Sequence, residues 1–332
     1  MTCPKPFRLL HLPSLAHDVI FSLIEIGDVY RLSKCSTRSR YAVKMFTKYQ
    51  KYSFEIDADE SRYCLRVWSD DRKNTFCHQL RSMDTRESVR RQAYSFNFLL
   101  ITYCEDYWAA AKEEILYFLD VFTRKVNHLS FYDVTKVIET TEFLKSATPL
   151  PAISCIYYYN HTIDDEVYKY VLRQLKHAKM VEIGAPPSAE FRFDEMEPFT
   201  GDSVFIDPAD WVTVDHLIRC FLNVEKVELR ICRNLCQIIP TLMHQFFTAW
   251  QKESRIKDLE LECDWSNIEF QAMFENVPKT VVKRIEVESV EQVFQEGQCF
   301  LIRQESGVEA IAYRCFTTLC FKTNFRLLRD DE

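Results

Sequence analysis

The sequence predicts an α+β fold: an N-terminal unit of three helices, then an irregular α/β solenoid with a parallel sheet, and a terminal β-hairpin. Three observations support this prediction. Apolar residues recur at helical spacing up to residue 48, and strand-like and helix-like segments alternate from residue 49 onward. Near the end, two extended stretches flank Ser306 and Gly307, as is typical of a hairpin turn.

The first 48 residues predict three short helices. Leu12-Pro13 suits a helix entry, because proline is preorganised for a first turn. Gly27 and Asp28 predict a break, with Asp28 as the next N-cap, and Ser36 is predicted to cap the third helix. The apolar faces of the three helices are, in order, Leu15, Val19, Leu23 and Ile26, then Val29, Leu32 and Cys35, then Tyr41, Ala42, Met45 and Phe46, with Arg38, Arg40 and Lys44 opposite.

The chain beyond residue 49 predicts strands and helices in turn. KYSFEID and RYCLRVW flank a turn-like DADES and predict a β-hairpin, and CEDYWAAAKEEILYFLDVFTRKV predicts a helix. The further candidate strands are HLSFYDV, SCIYYYN, MVEIGAP, SVFID, VEKVELRI, IKDLELEC and VKRIEVESV. The candidate helices among them are DDEVYKYVLRQLKH, VTVDHLIRCFL, IPTLMHQFFTAWQKE and FQAMFENVP.

These strands recur at intervals near the leucine-rich-repeat period of about 20–29 residues. Strand, helix and strand at that interval predict a parallel sheet with helices outside it, a leucine-rich-repeat-like solenoid. A closed α/β sandwich is the alternative. The stretch CFLIRQESGVEAIAYRCFTTLCFKTN is predicted to cap the last repeat, and residues 326–332 are assigned to a tail.

Composition narrows the class of protein. The 332 residues are 47% hydrophobic, which is ample for a core, and the formal net charge of −7 disfavours nucleic-acid binding. The apolar run FNFLLI is far shorter than a membrane span, so we expect no membrane partner. With only 5 glycines, the sequence contains no glycine-rich phosphate loop and indicates no cofactor.

The 13 cysteines predict reduced, buried thiols in an intracellular protein, cytoplasmic or nuclear. The first ten residues lead straight into the helical pattern and contain no secretory signal. The pairs Cys232/Cys236 and Cys315/Cys320 offer a zinc interpretation, but their spacings differ and their surroundings are apolar. We therefore predict core thiols and no metal site.

Residues 7–48 resemble an F-box, in the form abundant in nematodes. The resemblance rests on Leu12-Pro13, on the apolar ladder Val19, Ile20 and Leu23, on Leu32-Ser33, and on Cys35-Ser36 followed by basic residues. Two features depart from it: His17 stands where an apolar residue is frequent, and Glu25-Ile26-Gly27 replaces a frequent Asp-Pro turn.

Residues 190–265 are similar to the type-2 F-box-associated domain of the same proteins. FIDPADWVTVDHLIRCFLNVEKVELRI, followed by FFTAWQKESRIKDLELEC, carries the similarity, and its most specific part is the run at 211–217. The hairpin at 50–68 and the helix at 106–122 also look like that family. We therefore divide the chain into an F-box at 7–48 and an α/β substrate-binding domain at 49–325.

The resemblance implies a substrate receptor of a Skp–cullin–F-box ubiquitin ligase, not an enzyme. In that family the F-box binds a Skp-family adaptor, which joins a cullin–RING core, and the downstream domain holds the target protein. The implied adaptor-binding residues are Leu12, Pro13, Val19, Ile20, Leu23, Val29 and Leu32. The alternative is a repeat-type protein-binding scaffold that acts outside any ubiquitin ligase.

Two polar clusters have both a catalytic and a structural interpretation. His216 and Cys220 lie one helical turn apart, but a Cys–His nucleophile also needs an aligned third group. The acidic patch of Asp207, Asp210 and Asp215 with Trp211 suits a substrate or a metal contact, or else turns and a helix cap at Asp210 or Thr213. We favour the structural interpretation and predict no catalytic residue.

Alternation in three predicted strands places charges on one sheet face. VEKVELRI, IKDLELEC and VKRIEVES alternate apolar and charged residues, which predicts one face under helices and one in water. Solubility alone is the simpler explanation. Our hypothesis is that the wet face binds a basic segment of the target protein, through Glu228, Arg230, Glu260, Glu262, Glu286 and Glu288.

Overall fold

The structure, a computed structural model, describes residues 13–48, 52–69, 74–85, 98–123, 126–133, 135–147, 155–159, 163–174, 178–195, 197–232, 240–262 and 269–328. The chain divides into two compact units, Met1–Ser154 and Cys155–Glu332, and each contains helices and an open sheet. The predicted α+β class is confirmed. Within the described ranges, none of the helices combines the length and the apolar character that a bilayer crossing requires.

Three short helices open the first unit: α1 (Ser14–Leu23), α2 (Ile26–Cys35) and α3 (Thr37–Thr47). Ser36 caps α3 as predicted, since its hydroxyl accepts a 3.0 Å hydrogen bond from the Ser39 N–H. The predicted break at Gly27 is wrong, because the backbone leaves helical geometry at Ile24 and Glu25 and Gly27 lies in the first turn of α2.

Five of the described strands follow, and neighbours pair in the order β5-β1-β2-β3-β4. They are β1 (Tyr52–Asp59), β2 (Arg62–Ser69), β3 (Thr75–Ser82), β4 (Phe98–Cys104) and β5 (His128–Phe131). β1 and β2 form the predicted hairpin, and β5 pairs with β1 in parallel. The sequence does not predict β3, because its residue types do not alternate between apolar and polar. Residues 76–80 are all buried, so neither face of the strand needs to be polar.

Two helices complete the described part of the first unit, α4 (Tyr107–Val121) and α5 (Thr135–Ser146). The predicted helix at α4 is confirmed, and Asp106 caps it by accepting a 2.8 Å hydrogen bond from the Ala109 N–H. Ile115, Phe118 and Phe122 of this segment are buried. They give α4 an apolar side on which the N-terminal helices and the sheet pack.

The second unit contains parallel strands in sequence order: β6 (Cys155–Tyr159), β7 (Met180–Gly184), β8 (Ser203–Ile206), β9 (Lys226–Leu229) and β10 (Asp258–Glu262). The helices between them are α6 (Asp165–Gln174), α7 (Val214–His216), which continues into a π-helical turn at Leu217–Phe221, and α8 (Pro240–Lys252). The parallel order of these strands agrees with the prediction. Their apolar residues alternate into the core, among them Val227, Leu229, Leu259 and Leu261.

An antiparallel meander extends this sheet beyond β10. The two-residue strand β11 (Thr280–Val281) pairs with β14 (Cys299–Arg303), which continues into β15 (Glu309–Cys315) and β16 (Thr318–Lys322). β16 pairs with β10, so the meander covers the edge of the parallel strands. The predicted hairpin turn joins β14 to β15, and Gly307 occupies it with a φ of +90°.

The segment VKRIEVESV does not continue the parallel sheet, so its predicted neighbours are wrong. It forms β12 (Arg284–Val287), which lies between β13 (Val290–Val293) and β17 (Arg326–Leu327) in a separate antiparallel sheet. Alternation is the same in parallel and antiparallel strands, so it does not identify the partner strand. β17 also gives structure to two residues assigned to the tail, and FQAMFENVP forms only a 3-10 turn at Phe270–Phe274.

Candidate functional site

Helix α2 is held against its own unit by aromatic packing. The Tyr30 ring stacks on Phe118, with centroids 5.5 Å apart, and lies 4.8 Å from the Phe76 ring. Gly27 approaches β4 so closely that a Cβ there would lie 2.4 Å from Cγ of Phe98. This close approach explains why a glycine stands inside the first turn of the helix.

Charged side chains tie α2 and α3 to α4. Lys34 Nζ lies 2.6 Å from Glu114 Oε1, and Arg40 lies 2.8 Å from the Asp120 carboxylate, which Lys44 also contacts. Burial alone would raise the pKa of Asp120, but its bonds to Lys44 and Arg40 outweigh burial and lower that pKa. Helices α2 and α3 are therefore a fixed part of the first unit.

A buried histidine lies beside the α2 anchor. The Tyr30 hydroxyl is 3.4 Å from Nδ1 of His78 and donates to Glu114 Oε2 at 3.2 Å, while Nε2 of His78 lies 2.9 Å from the Thr102 hydroxyl. Burial lowers the pKa of His78 to about 4. The imidazole is therefore neutral at physiological pH.

Helix α1 keeps apolar side chains on its outer side. Phe21 is buried and packs on Phe46 of α3, with ring centroids 5.1 Å apart. Val19 and Leu23 are 59% and 79% exposed. One helical turn separates them, so they form a stripe on the side of α1 opposite Phe21. We call this pair the α1 stripe.

The predicted adaptor-binding residues divide between surface and core. Pro13 and the α1 stripe are exposed, and Ile20 and Leu32 are half-buried. Val29 is 1% exposed, so its predicted contact with an adaptor is wrong, because the same side of α2 packs inside the chain. Leu12 lies outside the described residues.

Helix α3 also faces differently from the prediction. Val43 and Phe46 are buried, whereas Tyr41 and Met45, predicted for the same apolar side, are exposed. The side of α3 predicted to face solvent is turned toward α4, where Arg40 and Lys44 pair with Asp120. A charged partner on α4 therefore decides the orientation of the helix.

The second candidate surface is the outer face of β7–β10. Glu260 lies beside Glu228, and Glu228 lies beside Phe205, on neighbouring strands. The Arg230 guanidinium stands 5.0 Å from the centroid of the Phe205 ring. Both side chains line a cavity of about 410 Å³ on this face. We call this outer face of β7–β10 the acidic face.

Basic side chains neutralise part of the acidic face. Arg230 lies 2.9 Å from Glu228 and 3.7 Å from Glu262. Lys322 lies 2.6 Å from Asp258 and 2.5 Å from Glu260; burial alone would lower its pKa, but these two carboxylates outweigh burial and raise it. An acidic excess remains among the face residues, which are Glu182, Asp207, Glu228, Asp258, Glu260 and Glu262 against Lys226, Arg230 and Lys322.

Glu286 and Glu288 do not belong to the acidic face, contrary to the prediction. Glu286 of β12 pairs with Glu291 of β13 and with Arg326 of β17, and Glu288 lies in the turn after β12. β12 instead covers the same sheet face farther along, where Ile285 and Val287 form a core cluster with Cys299, Ile311, Tyr313 and Cys320. The solvent-exposed part of this sheet face therefore ends where the small sheet of β12, β13 and β17 begins.

His216 and Cys220 have structural roles. His216 Nε2 donates to the Phe193 carbonyl at 2.7 Å, and its Nδ1 accepts from the Thr213 N–H at 3.1 Å, so both ring nitrogens are engaged. Burial lowers the pKa of His216 and raises the pKa of the Cys220 thiol to about 11. The hydroxyl of Thr213 caps α7, as one of the two predicted caps.

The cysteines of the two predicted pairs differ in burial where the structure describes them. Cys232 and Cys320 are buried, Cys315 is exposed, and Cys236 lies outside the described residues. In the part of the chain that the structure describes, no three His, Cys, Asp or Glu residues stand together in a way that could hold a metal ion.

Phe205 and Lys322 are among the residues of the acidic face that the sequence prediction misses. The sequence could have predicted Phe205 on this face, since alternation in SVFID buries Val204 and Ile206 and turns Phe205 outward. Lys322 gave no such signal, because it meets Glu260 through the pairing of β16 with β10, across 62 residues of chain.

Comparison with protein-family models, with curated proteins and with solved structures finds no match to this chain. Its function is therefore inferred from its own residues and geometry.

Proposed function

We propose that this chain is the substrate-recognition subunit of a Skp–cullin–F-box ubiquitin ligase. In this proposal α1–α3 are an F-box that binds a Skp-family adaptor, and β6–β10 belong to an irregular leucine-rich-repeat-like solenoid that holds a target protein. The adaptor connects the chain to a cullin–RING core. A receptor of this kind acts by raising the effective concentration of the target, so no catalytic residue and no cofactor are assigned to it.

The α1 stripe is the observation that carries the proposal. Val19 and Leu23 remain exposed on α1, which packs on α3 through Phe21 and Phe46, and α2 and α3 are in turn fixed to α4 by the ion pairs of Glu114 and Asp120. A fixed helix with an exposed apolar stripe has the properties of a docking site, because its partner gains apolar burial without having to order the helix.

The sequence resemblance supports the same assignment. The F-box-like stretch, residues 7–48, covers the three helices, and its Leu-Pro opening comes directly before α1. Pro13 is exposed at the start of that helix. The acidic face fits the second half of the proposal, since a target with a basic segment complements its charge.

A protein-binding scaffold outside any ubiquitin ligase is the second candidate. The burial of Val29 favours it, because one residue of the implied adaptor-binding set is used inside the chain. The two candidates differ in one property, which is binding to a Skp-family adaptor.

Copurification of the full chain with a coexpressed Skp-family adaptor tests the proposal. We expect wild type to copurify, and the double variant Pro13→Ala, Leu23→Asp to lose the adaptor while retaining its thermal unfolding profile. Thr37→Asp is the matched control, because it adds the same charge at an exposed position on α3, away from the α1 stripe. The control is expected to bind as wild type does.

Failure of folded wild-type protein to copurify with the adaptor would reject the ligase proposal and favour the scaffold. Equal binding by wild type and the double variant would reject the α1 stripe as the docking site.

A further inference from the structure

Two large apolar residues stand at the end of the acidic face in an unfavourable backbone conformation. Phe316 is 93% exposed with a φ of +52°, and Ile231 is 41% exposed with a φ of +53°. The left-handed region is uncommon for residues with a Cβ, and a β-branched residue such as Ile231 is a marked outlier there.

The fold gains little from the Phe316 side chain at this position. Phe316 lies in the two-residue turn between β15 and β16, because Cys315 pairs with Thr318. Gly or Asn is usual where such a turn needs a positive φ. A phenyl ring held in water on a strained turn suggests a role outside the fold, since strained residues persist at ligand-binding positions.

The strand order places the backbone of one acidic residue, Glu262, between the two. The Cys232 N–H, one residue after Ile231, donates to the Glu262 carbonyl at 2.9 Å, and Glu262 is paired with Thr318, two residues after Phe316. β9, β10 and β16 are neighbours, so the two apolar residues stand about two strand spacings, or about 10 Å, apart. We call Ile231, Glu262 and Phe316 the rim.

Charge selects the kind of segment that fits the rim. Glu262 continues the acidic face, on which carboxylates outnumber basic groups as given above. A Lys or Arg between two apolar residues would meet Glu262, with its neighbours on Ile231 and Phe316. A phosphate in the same place would meet the carboxylate excess of the acidic face and lose affinity, since Arg230 is already paired with Glu228 and Glu262.

We propose that the rim binds an unphosphorylated segment of a partner protein that carries a Lys or Arg next to large apolar residues. The inference deepens the proposed function and rests on it for one point, which is that this partner is the target of the ligase. Phosphorylation of the segment then releases the partner instead of recruiting it.

A phage-displayed random dodecapeptide library, panned on the full chain without any adaptor, is the first test. We expect the enriched peptides to combine Lys or Arg with aromatic or branched aliphatic residues. Titration calorimetry with the best synthetic peptide should show that Phe316→Gly binds it with an affinity lower by about tenfold or more, as expected when an anchor residue is removed. The same variant should not lower Tm, because glycine relieves the strained φ.

Val308→Ala is the matched control, since it removes an exposed apolar side chain from the turn at the other end of β15. It should leave peptide affinity unchanged. A phosphoserine next to the basic residue of the peptide should weaken binding about tenfold, and Glu262→Gln should reduce that penalty.

The inference is wrong if panning enriches no peptide, if the enriched peptides are acidic, or if Phe316→Gly binds as wild type does. These outcomes are independent of the adaptor. Adaptor binding without peptide binding would leave the proposed function standing and remove the rim. Peptide binding without adaptor binding would keep the rim as the partner site of a scaffold.

Discussion

Helices α1 and α2 are neighbours of similar length, but they use their apolar residues in opposite ways. On α2, Val29 and Tyr30 are buried against the sheet and α4 of the same unit, and Gly27 allows β4 to approach. On α1, Val19 and Leu23 point to solvent. The contrast separates a helix that anchors the unit from a helix that is available to a partner.

Tyr30→Ala is expected to have the largest effect, because it removes the ring that anchors α2. The loss of a buried aromatic ring should lower the free energy of unfolding by about 3–5 kcal/mol, measured by urea denaturation. Tyr41→Ala on α3 is the control, since that ring is exposed, and its effect should stay within about 0.5 kcal/mol. Similar losses for both variants would mean that α2 is not the anchoring helix.

The neutral His78 beside Tyr30 makes the anchor sensitive to acid. Its pKa is about 4 in the folded protein, below the ordinary 6.5, so the unfolded chain binds a proton first as pH falls. Stability should decrease between pH 6.5 and pH 4 by about 3 kcal/mol from this group. His78→Gln removes the titrating group, so the fall in stability over that range should be smaller by this amount. An unchanged pH profile in the variant would contradict the buried neutral state.

The ion pair of Lys34 with Glu114 is expected to contribute least to the anchor, because Lys34 is partly exposed. A double-mutant cycle with Lys34→Met and Glu114→Gln should give a coupling of about 0.5–1 kcal/mol. Salt should weaken that coupling. A coupling of several kcal/mol would move the main anchor from the aromatic ring to the charges.

The fold follows from the sequence where the signals are local. Ser36 and the apolar spacing predict three helices, and alternation predicts β7–β10 with Glu228 beside Glu260. Orientation depends on distant residues: Arg40 and Lys44 turn α3 toward Asp120, which lies 80 and 76 positions away. Local patterns contain no information about such partners, so they assign the buried side of α3 wrongly.

The candidate sites show the same division. The exposed Val19 and Leu23 follow from helical spacing in α1, whereas the burial of Val29 depends on strands that come later in the chain. Glu286 alternates as Glu228 does, yet its strand pairs with β13 and β17. A periodic pattern predicts which residues share a face but not which strand lies beside it.

Amide hydrogen exchange of the full chain, with and without a purified Skp-family adaptor, tests the central claim most directly. If the α1 stripe is the docking site, the adaptor should slow exchange in Ser14–Leu23 by about tenfold or more. Exchange in β3 and in β7–β10 should not change. Unchanged exchange in α1, or protection confined to β7–β10, would contradict the claim.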